Sequence, residues 1–237
     1  DKTPSPYAMY LRVLNEYFSS YTADDNFRTP KQLAGYMDLA YQIDAIKAAL
    51  GIIKRHNGVI VADVVGLGKS IIASSVAANL NLPVIIITPP HLEKQWIDYA
   101  QTFGFLHHAH VFTSGKIQNA LDKFGNDNQQ YLIIIDEAHR YRNDSNADYA
   151  RLEALCTNNK VVLLTATPYN NKPKDIYNLV KLFQIPNKST LKNVDNFGRR
   201  FEDLIARYNK AYAAARKAQS ATAEKTFIKE SKAIAKA

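Results

Sequence analysis

Three short stretches hold residue types whose spacing could do chemistry on a phosphorylated ligand. In Val59–Ser70, VIVADVVGLGKS, a short apolar run breaks into a turn punctuated by Gly66 and Gly68 and ends in Lys69-Ser70. With no side chains at the two glycines, backbone N–H groups can close around phosphate oxygens. Lys69 would then reach the outer phosphates of a nucleotide and Ser70 would set its hydroxyl on Mg²⁺. A helix starting here would aim its positive end at the same anion. The strict template G-x-x-x-x-G-K-[ST] fails at its first position, where Asp63 stands. A strand, a glycine turn and a helix without any ligand is the alternative this stretch leaves open.

The second stretch is QYLIIIDEAHRYRN, Gln130 to Asn143. An apolar strand would deliver Asp136 and Glu137 to the end of a sheet. Two adjacent carboxylates can divide the labour of phosphoryl transfer, Asp136 holding Mg²⁺ and Glu137 orienting and deprotonating the attacking water. The plainer alternative is that Asp-Glu caps the next helix. The third stretch is KVVLLTATPYNN, Lys160 to Asn171, in which a strand exits through Thr165-Ala166-Thr167-Pro168. Two hydroxyls beside Asp136 and His139 could form a relay that senses the terminal phosphate; otherwise Thr-x-Thr-Pro is a strand exit. Upstream, Tyr41-Gln42 offers a side-chain amide able both to donate to and accept from an adenine edge.

Residues of this kind need a scaffold that brings strand ends together, and the chain has the pattern of one. A helix from Asp38 to about Arg55 is followed by strand Val59–Ala62, helix Lys69 to about Leu80, strand Val84–Thr88 and helix His91–Phe103. Strand Ala109–Thr113, helix Lys116–Phe124, strand Tyr131–Ile135, helix Ala147–Cys156, strand Lys160–Thr165 and a helix from Lys174 to about Phe183 continue the alternation. Strands rich in Ile and Val on both faces predict a parallel sheet covered on both sides, with ligands at the carboxyl ends of its strands. Ahead of this series, Tyr7, Tyr10, Leu11, Leu14, Tyr17, Phe18 and Tyr21 recur at helical spacing, and Thr22 to Pro30 reads as a loop. Beyond Pro186, Asp195 is placed to cap a long helix carrying Phe197, Phe201, Leu204, Ile205, Tyr208 and Tyr212, and a further helical stretch runs from about Thr222.

Composition narrows the classes. A chain of 237 residues that is 46% hydrophobic can bury a substantial core. No window approaches the roughly 18 uncharged apolar residues of a membrane span, and DKTPSPYAMY lacks the start of a signal peptide. We therefore expect a soluble, intracellular protein. Cys156, the single cysteine, excludes an intrachain disulfide and reads as a helix residue. The net charge of +8 is uneven: residues 188–237 hold twelve Lys/Arg against five Asp/Glu, a surplus of seven. A basic tail favours an anionic partner such as nucleic acid, although a solvated helix face is as common an explanation. His107, His108 and His110 read as a surface loop rather than a metal site, Trp96 as core, and Arg199 and Arg200 as a solvated face. The chain starts with Asp and ends in a Lys/Ala run, as a piece of a longer protein would.

ADVVGLGKS, IIITPPHLEKQW, DEAHRYRN and LTATPYNN stand in the order and approximate spacing of motifs I, Ia, II and III of superfamily 2 helicases. The Leu67 loop and Arg140–Asn143 most resemble the Swi/Snf-type DNA translocases, over about Asp38 to Phe183. The resemblance implies an α/β fold, a RecA-like P-loop NTPase sandwich of three layers around a mostly parallel sheet. It divides the chain into a helical extension (1–37), an ATP-binding lobe (38–186) and a basic helical appendage (187–237). It also implies ATP and Mg²⁺ as cofactors and the phosphate backbone of double-stranded DNA as partner. Residue by residue, Gln42 matches the adenine-reading glutamine, and Gly66, Leu67, Gly68, Lys69 and Ser70 the phosphate loop. Asp136 and Glu137 match the metal-binding and water-activating carboxylates, and His139, Thr165 and Thr167 the coupling residues. Thr88, Pro89 and Gln95-Trp96 fall in motif Ia, whose strand-end loop faces DNA in such proteins, and Thr113 and Ser114 in a further backbone-contacting motif. Val64 departs from a usual acidic residue, Ser70 from Thr and Ala166 from Gly. Because no second alternating series follows Phe183, the chain is expected to be one lobe that needs another, binding ATP weakly and hydrolysing it poorly alone. A non-catalytic binding module and the lobe of an RNA helicase or restriction-enzyme motor are the alternatives.

Overall fold

A computed structural model describes residues 27–62, 68–168, 173–186 and 196–218, together with 188 and 190. The expected aromatic helix over 7–21, the core of the phosphate loop with Val64, Gly66 and Leu67, the capping Asp195 and the helical stretch after Thr222 lie outside the described residues. The helices are α1 (Pro30–Ala34), α2 (Ala40–His56), α3 (Lys69–Leu80), α4 (Glu93–Thr102), α5 (Ile117–Phe124), α6 (Ala147–Cys156), α7 (Pro173–Lys181) and α8 (Phe197–Ala218). They alternate with strands β1 (Gly58–Ala62), β2 (Val84–Thr88), β3 (Ala109–Thr113), β4 (Leu132–Ile135) and β5 (Lys160–Thr165).

The five strands form one sheet in the order β1-β5-β4-β2-β3, and every neighbouring pair is parallel. Side chains alternate across a strand, so the Ile/Val runs divide into two cores. Val84, Ile86, Leu132, Ile134, Val162 and Leu164 face the layer of α2, α3 and α4. Ile85, Ile87, Ile133, Ile135, Val161 and Leu163 face the layer of α5, α6 and α7. Each of these buried aliphatic side chains contributes about 1.5–3 kcal/mol, and the central strands have no face left for polar residues. All carboxyl ends therefore emerge along one edge of the sheet, which is what the candidate site requires.

Several element starts shift by a residue or two from the sequence reading, and two of them have a clear cause in capping. Asp38 does not cap α2; Leu39 occupies the cap position without a side-chain hydrogen bond, and Asp38 Oδ1 instead accepts from the backbone N–H of Lys31 at 2.9 Å. The stretch expected to be loop up to Pro30 ends one residue earlier than that, because Thr29 and Gln32 form a capping box with Pro30 in the first turn of α1. Arg28 ties this segment to α3, its guanidinium donating to the carbonyl of Ala78 at 2.9 Å. At the start of β1 a Cβ on Gly58 would lie 2.3 Å from Phe183 Cγ, so glycine lets the segment after α7 close over the sheet. Helix α8 docks on α7 through Tyr177, whose ring lies 5.5 Å from Phe197 and 5.3 Å from Phe201. Arg199 and Arg200 are exposed, and Cys156 is buried on α6. No helix among the described residues is long and apolar enough to cross a membrane.

Candidate nucleotide site

Helix α3 opens directly onto the phosphate-loop segment. Gly68 is its cap residue at φ 82°, a left-handed conformation that glycine adopts without a Cβ penalty. Lys69 and Ser70 form the first turn and are half-buried. Gln42 on α2 is 3% exposed and leans against this cap: a Cβ on Gly68 would sit 2.4 Å from Gln42 Nε2. Gln42 Nε2 also donates to the hydroxyl oxygen of neighbouring Tyr41 at 3.5 Å. The amide read from sequence as an adenine contact therefore stands at the mouth of the expected phosphate loop.

Asp136 follows β4, with its backbone N–H donating to Ile87 of β2 at 2.9 Å. Its parity along the strand turns the side chain toward the layer that holds α3 and α4. One oxygen accepts from the backbone N–H of Glu137 at 2.8 Å, and the other from Trp96 Nε1 at 2.9 Å. Burial pushes the Asp136 carboxyl above its ordinary value; the Trp96 and Glu137 N–H groups and the charge of Lys69 act against that rise. Lys69 and Asp136 thus lie within electrostatic reach of each other, as a phosphate-binding cation and a metal-holding anion must. Each carboxylate oxygen keeps a lone pair, and a hard anionic oxygen of this kind suits Mg²⁺, which keeps most of its shell for water and phosphate. Among the described residues no group of three or more His, Cys, Asp or Glu is placed to hold a metal by itself.

Glu137 sits at φ 50°, ψ 45°, and its carboxylate lies 2.9 Å from His139 Nδ1, an ion-pair distance without hydrogen-bond alignment. The exit of β5, expected to couple with His139, makes hydrogen bonds of its own. Thr165 is fully buried and accepts from the backbone N–H of Thr167 at 3.1 Å. The Thr167 hydroxyl receives Arg142 at 2.7 Å, and the same guanidinium nitrogen reaches the Thr167 carbonyl. No contact joins Thr167 to His139 or Asp136 among the described hydrogen bonds. Arg142 is in turn held by Asn178 Nδ2, which donates to its carbonyl at 2.6 Å, and Tyr149 donates to the carbonyl of Asn178 at 2.7 Å. Sequence reading missed Arg142 as a contact and missed Trp96 as a ligand of the carboxylate. A buried indole N–H needing an acceptor is the one signal that could have flagged the latter.

Along the β2–β3 side of the same edge, Thr88 and Thr113 are register partners with buried side chains, and Pro89 is buried with them. Gln95 is exposed and Ser114 half-buried, so those two present side chains to solvent there. The three histidines do not share a surface loop: His107 and His108 contact each other at 2.7 Å, while His110 belongs to edge strand β3 and packs on Phe124 at 4.7 Å.

A parallel sheet of this order, flanked by helices and with a phosphate-loop helix beside an acidic strand end, defines a RecA-like α/β domain. The chain belongs to the SNF2-related domain family, whose model matches residues 111–233. That match takes in the Asp136 and Thr165 regions but begins after Gln42 and Lys69. The Bacillus subtilis (strain 168) ATP-dependent helicase YqhH, itself uncharacterized, is 27% identical over 180 residues, covering 68% of this chain and 32% of that protein. A protein of Acanthamoeba polyphaga mimivirus, named provisionally as an ATP-dependent RNA helicase, is 30% identical over 137 residues, 57% of this chain and 31% of its own. In fold, the chain is similar to the Sulfolobus solfataricus SWI2/SNF2 ATPase core solved in complex with dsDNA, with TM-score 0.55, 20% identity, and coverage of 68% of this chain and 37% of that one. The chain spans about a third of the length of these curated relatives.

Proposed function

We propose that this chain is the first ATPase lobe of an ATP-dependent nucleic-acid translocase or helicase, acting with a second RecA-like lobe of the same full-length protein. One observation carries the reading: Gln42, Gly68 and Lys69 meet at the start of α3, and the charge of Lys69 reaches the buried Asp136 at the end of β4. Gln42 reads the adenine edge, the Gly66–Ser70 segment cradles the phosphates, and Ser70 with Asp136 holds Mg²⁺. Bound Mg²⁺ would neutralise charge developing on the phosphates. Glu137 orients and deprotonates the attacking water once the second lobe closes, which is why hydrolysis by this chain alone is slow. On this reading residues 38–186 are the lobe, flanked by 1–37 and the basic 187–237.

The partner is duplex DNA, gripped by its phosphate backbone along the carboxyl edge through Gln95, Ser114 and the backbone around Thr88, Pro89 and Thr113. Such contacts carry no base readout, so binding is non-specific and weakens steeply with salt. On this reading the protein acts inside the cell, on DNA. The test is DNA-stimulated ATP hydrolysis by the full-length protein and its Glu137→Gln variant, with duplex DNA and duplex RNA compared. Loss of stimulated turnover in the variant and preference for DNA are expected; equal rates in the two proteins would refute the catalytic reading.

A further inference from the structure

The one tryptophan of the chain is joined to the carboxylate on which the metal reading depends. Trp96 lies on α4, 1% exposed, and its indole N–H donates to Asp136 Oδ2 at 2.9 Å across forty positions of sequence. We propose that Trp96 is a positioning residue that fixes the Asp136 carboxylate in the orientation in which it holds Mg²⁺, an inference that rests on the reading of Asp136 as the metal-holding group.

Three features of the geometry support it. First, a buried indole N–H needs an acceptor, and a tryptophan that only filled space could meet that need with any backbone carbonyl. Here the acceptor is an ionisable side chain at a strand end. Second, the backbone N–H of Glu137 holds the other oxygen at 2.8 Å, so the two donors together leave the carboxylate no free rotation. Third, the indole is itself immobilised. Tyr99 meets it edge-on at 6.0 Å, Phe103 lies 6.4 Å from Tyr99, and Tyr36 stacks on Phe103 at 5.6 Å. Groups that orient a metal ligand from behind typically hold about 10–100-fold of its metal affinity.

The test uses the 237-residue chain and a fluorescent ATPγS probe, with affinity measured in Mg²⁺ and in EDTA; the ratio of the two is the metal-dependent gain. Trp96→Phe keeps an aromatic ring and removes the donor. Replacement of Trp96 by benzothienylalanine keeps the bicyclic shape and puts sulfur where the N–H was. Both are expected to lower the metal-dependent gain about tenfold while affinity in EDTA stays unchanged. An unchanged gain in the benzothienylalanine protein would overturn the inference. Asp136→Asn separates this from the underlying reading: it should abolish the gain, and if it does not, the metal assignment falls and the positioning role with it. The unmodified chain supplies an independent measurement, since all its indole emission comes from Trp96. Mg²⁺ with unlabelled ATPγS should shift that emission, reversibly with EDTA, and should not do so in Asp136→Asn. A silent indole in the unmodified chain would refute the proposal even if the Trp96 variants failed to fold.

Discussion

Replacing Gly68 by Ala tests the join between the phosphate-loop helix and the amide of Gln42, and its cost has two parts. Position 68 sits at φ 82°, where a Cβ costs about 1–2 kcal/mol. The new methyl would also lie 2.4 Å from Gln42 Nε2, an atom at the end of a side chain that is 3% exposed and must turn away. The backbone part alone should lower the melting temperature by about 2–8 °C for a domain of this size. The second part is measurable as a coupling: Gly68→Ala should cost about 0.5–2 kcal/mol less in a Gln42→Ala background, where the obstructing amide is gone. Turning the amide away should also reduce the preference for ATPγS over its guanine counterpart about tenfold, the value of one bidentate amide contact to a base. Chemical denaturation of the four proteins of the cycle and competition binding of the two nucleotides supply the numbers. If Gly68→Ala costs the same with and without Gln42, and nucleotide preference does not move, the Gln42 amide does not bear on position 68.

Other outcomes follow from contacts around the site. Arg142→Ala should uncouple DNA stimulation from hydrolysis in the full-length protein while leaving ATPγS affinity intact, because it releases Thr167 without touching Gln42 or Lys69; titration of ATPase rate against DNA checks this. Burial pushes the Cys156 thiol far above its ordinary value, so a disulfide exchange reagent at pH 8 should label it only as fast as α6 opens, and fully on addition of denaturant. Lys174, 2.8 Å from Asp144, holds that carboxyl below its ordinary value, so the pair stabilises above about pH 4 and ceases to as pH falls through the lowered value. Both side chains are partly exposed, so Lys174→Ala should cost no more than about 1 kcal/mol at pH 7 and progressively less as pH falls through the lowered Asp144 value, read from denaturation midpoints.

Elements whose signals are local were legible in the sequence. The spans Lys69–Leu80, Ala147–Cys156, Ala109–Thr113 and Lys160–Thr165 agree with the structure, because the apolar period is clear in each and punctuating residues mark several of the ends: Gly68 and Asn81 around the first, Asn146 before the second and Asn159 before the last. Turns were harder. His91, Leu92 and Lys116, read as the starts of helices, belong instead to the 3-10 turns Pro90–Leu92 and Ser114–Lys116, since propensity does not separate the two hydrogen-bond patterns. Asp38 was a reasonable cap by type, but Lys31 N–H is nearer at hand and takes its carboxylate. At the site, the chemistry-bearing residues were legible by type, and parallel strand order accounts for their sharing one edge. Their hydrogen bonds were not legible. Trp96 to Asp136 and Arg142 to Thr167 span 40 and 25 positions, and no local pattern encodes a contact made by the packing of α4 on the sheet or of the turn after β4 on the exit of β5.

Glu137 has a consequence of its own. At φ 50° it occupies a conformation that Asn or Gly would adopt more cheaply, by about 1–2 kcal/mol. Selection for a firmer fold alone would therefore replace it, and a Glu137→Gly lobe should melt higher than the natural one. Under the proposed function, Glu137 sets an awkward backbone against a needed carboxylate, so in a lobe relieved of hydrolysis Glu137→Asn and Glu137→Gly are both expected to firm the fold at no further loss.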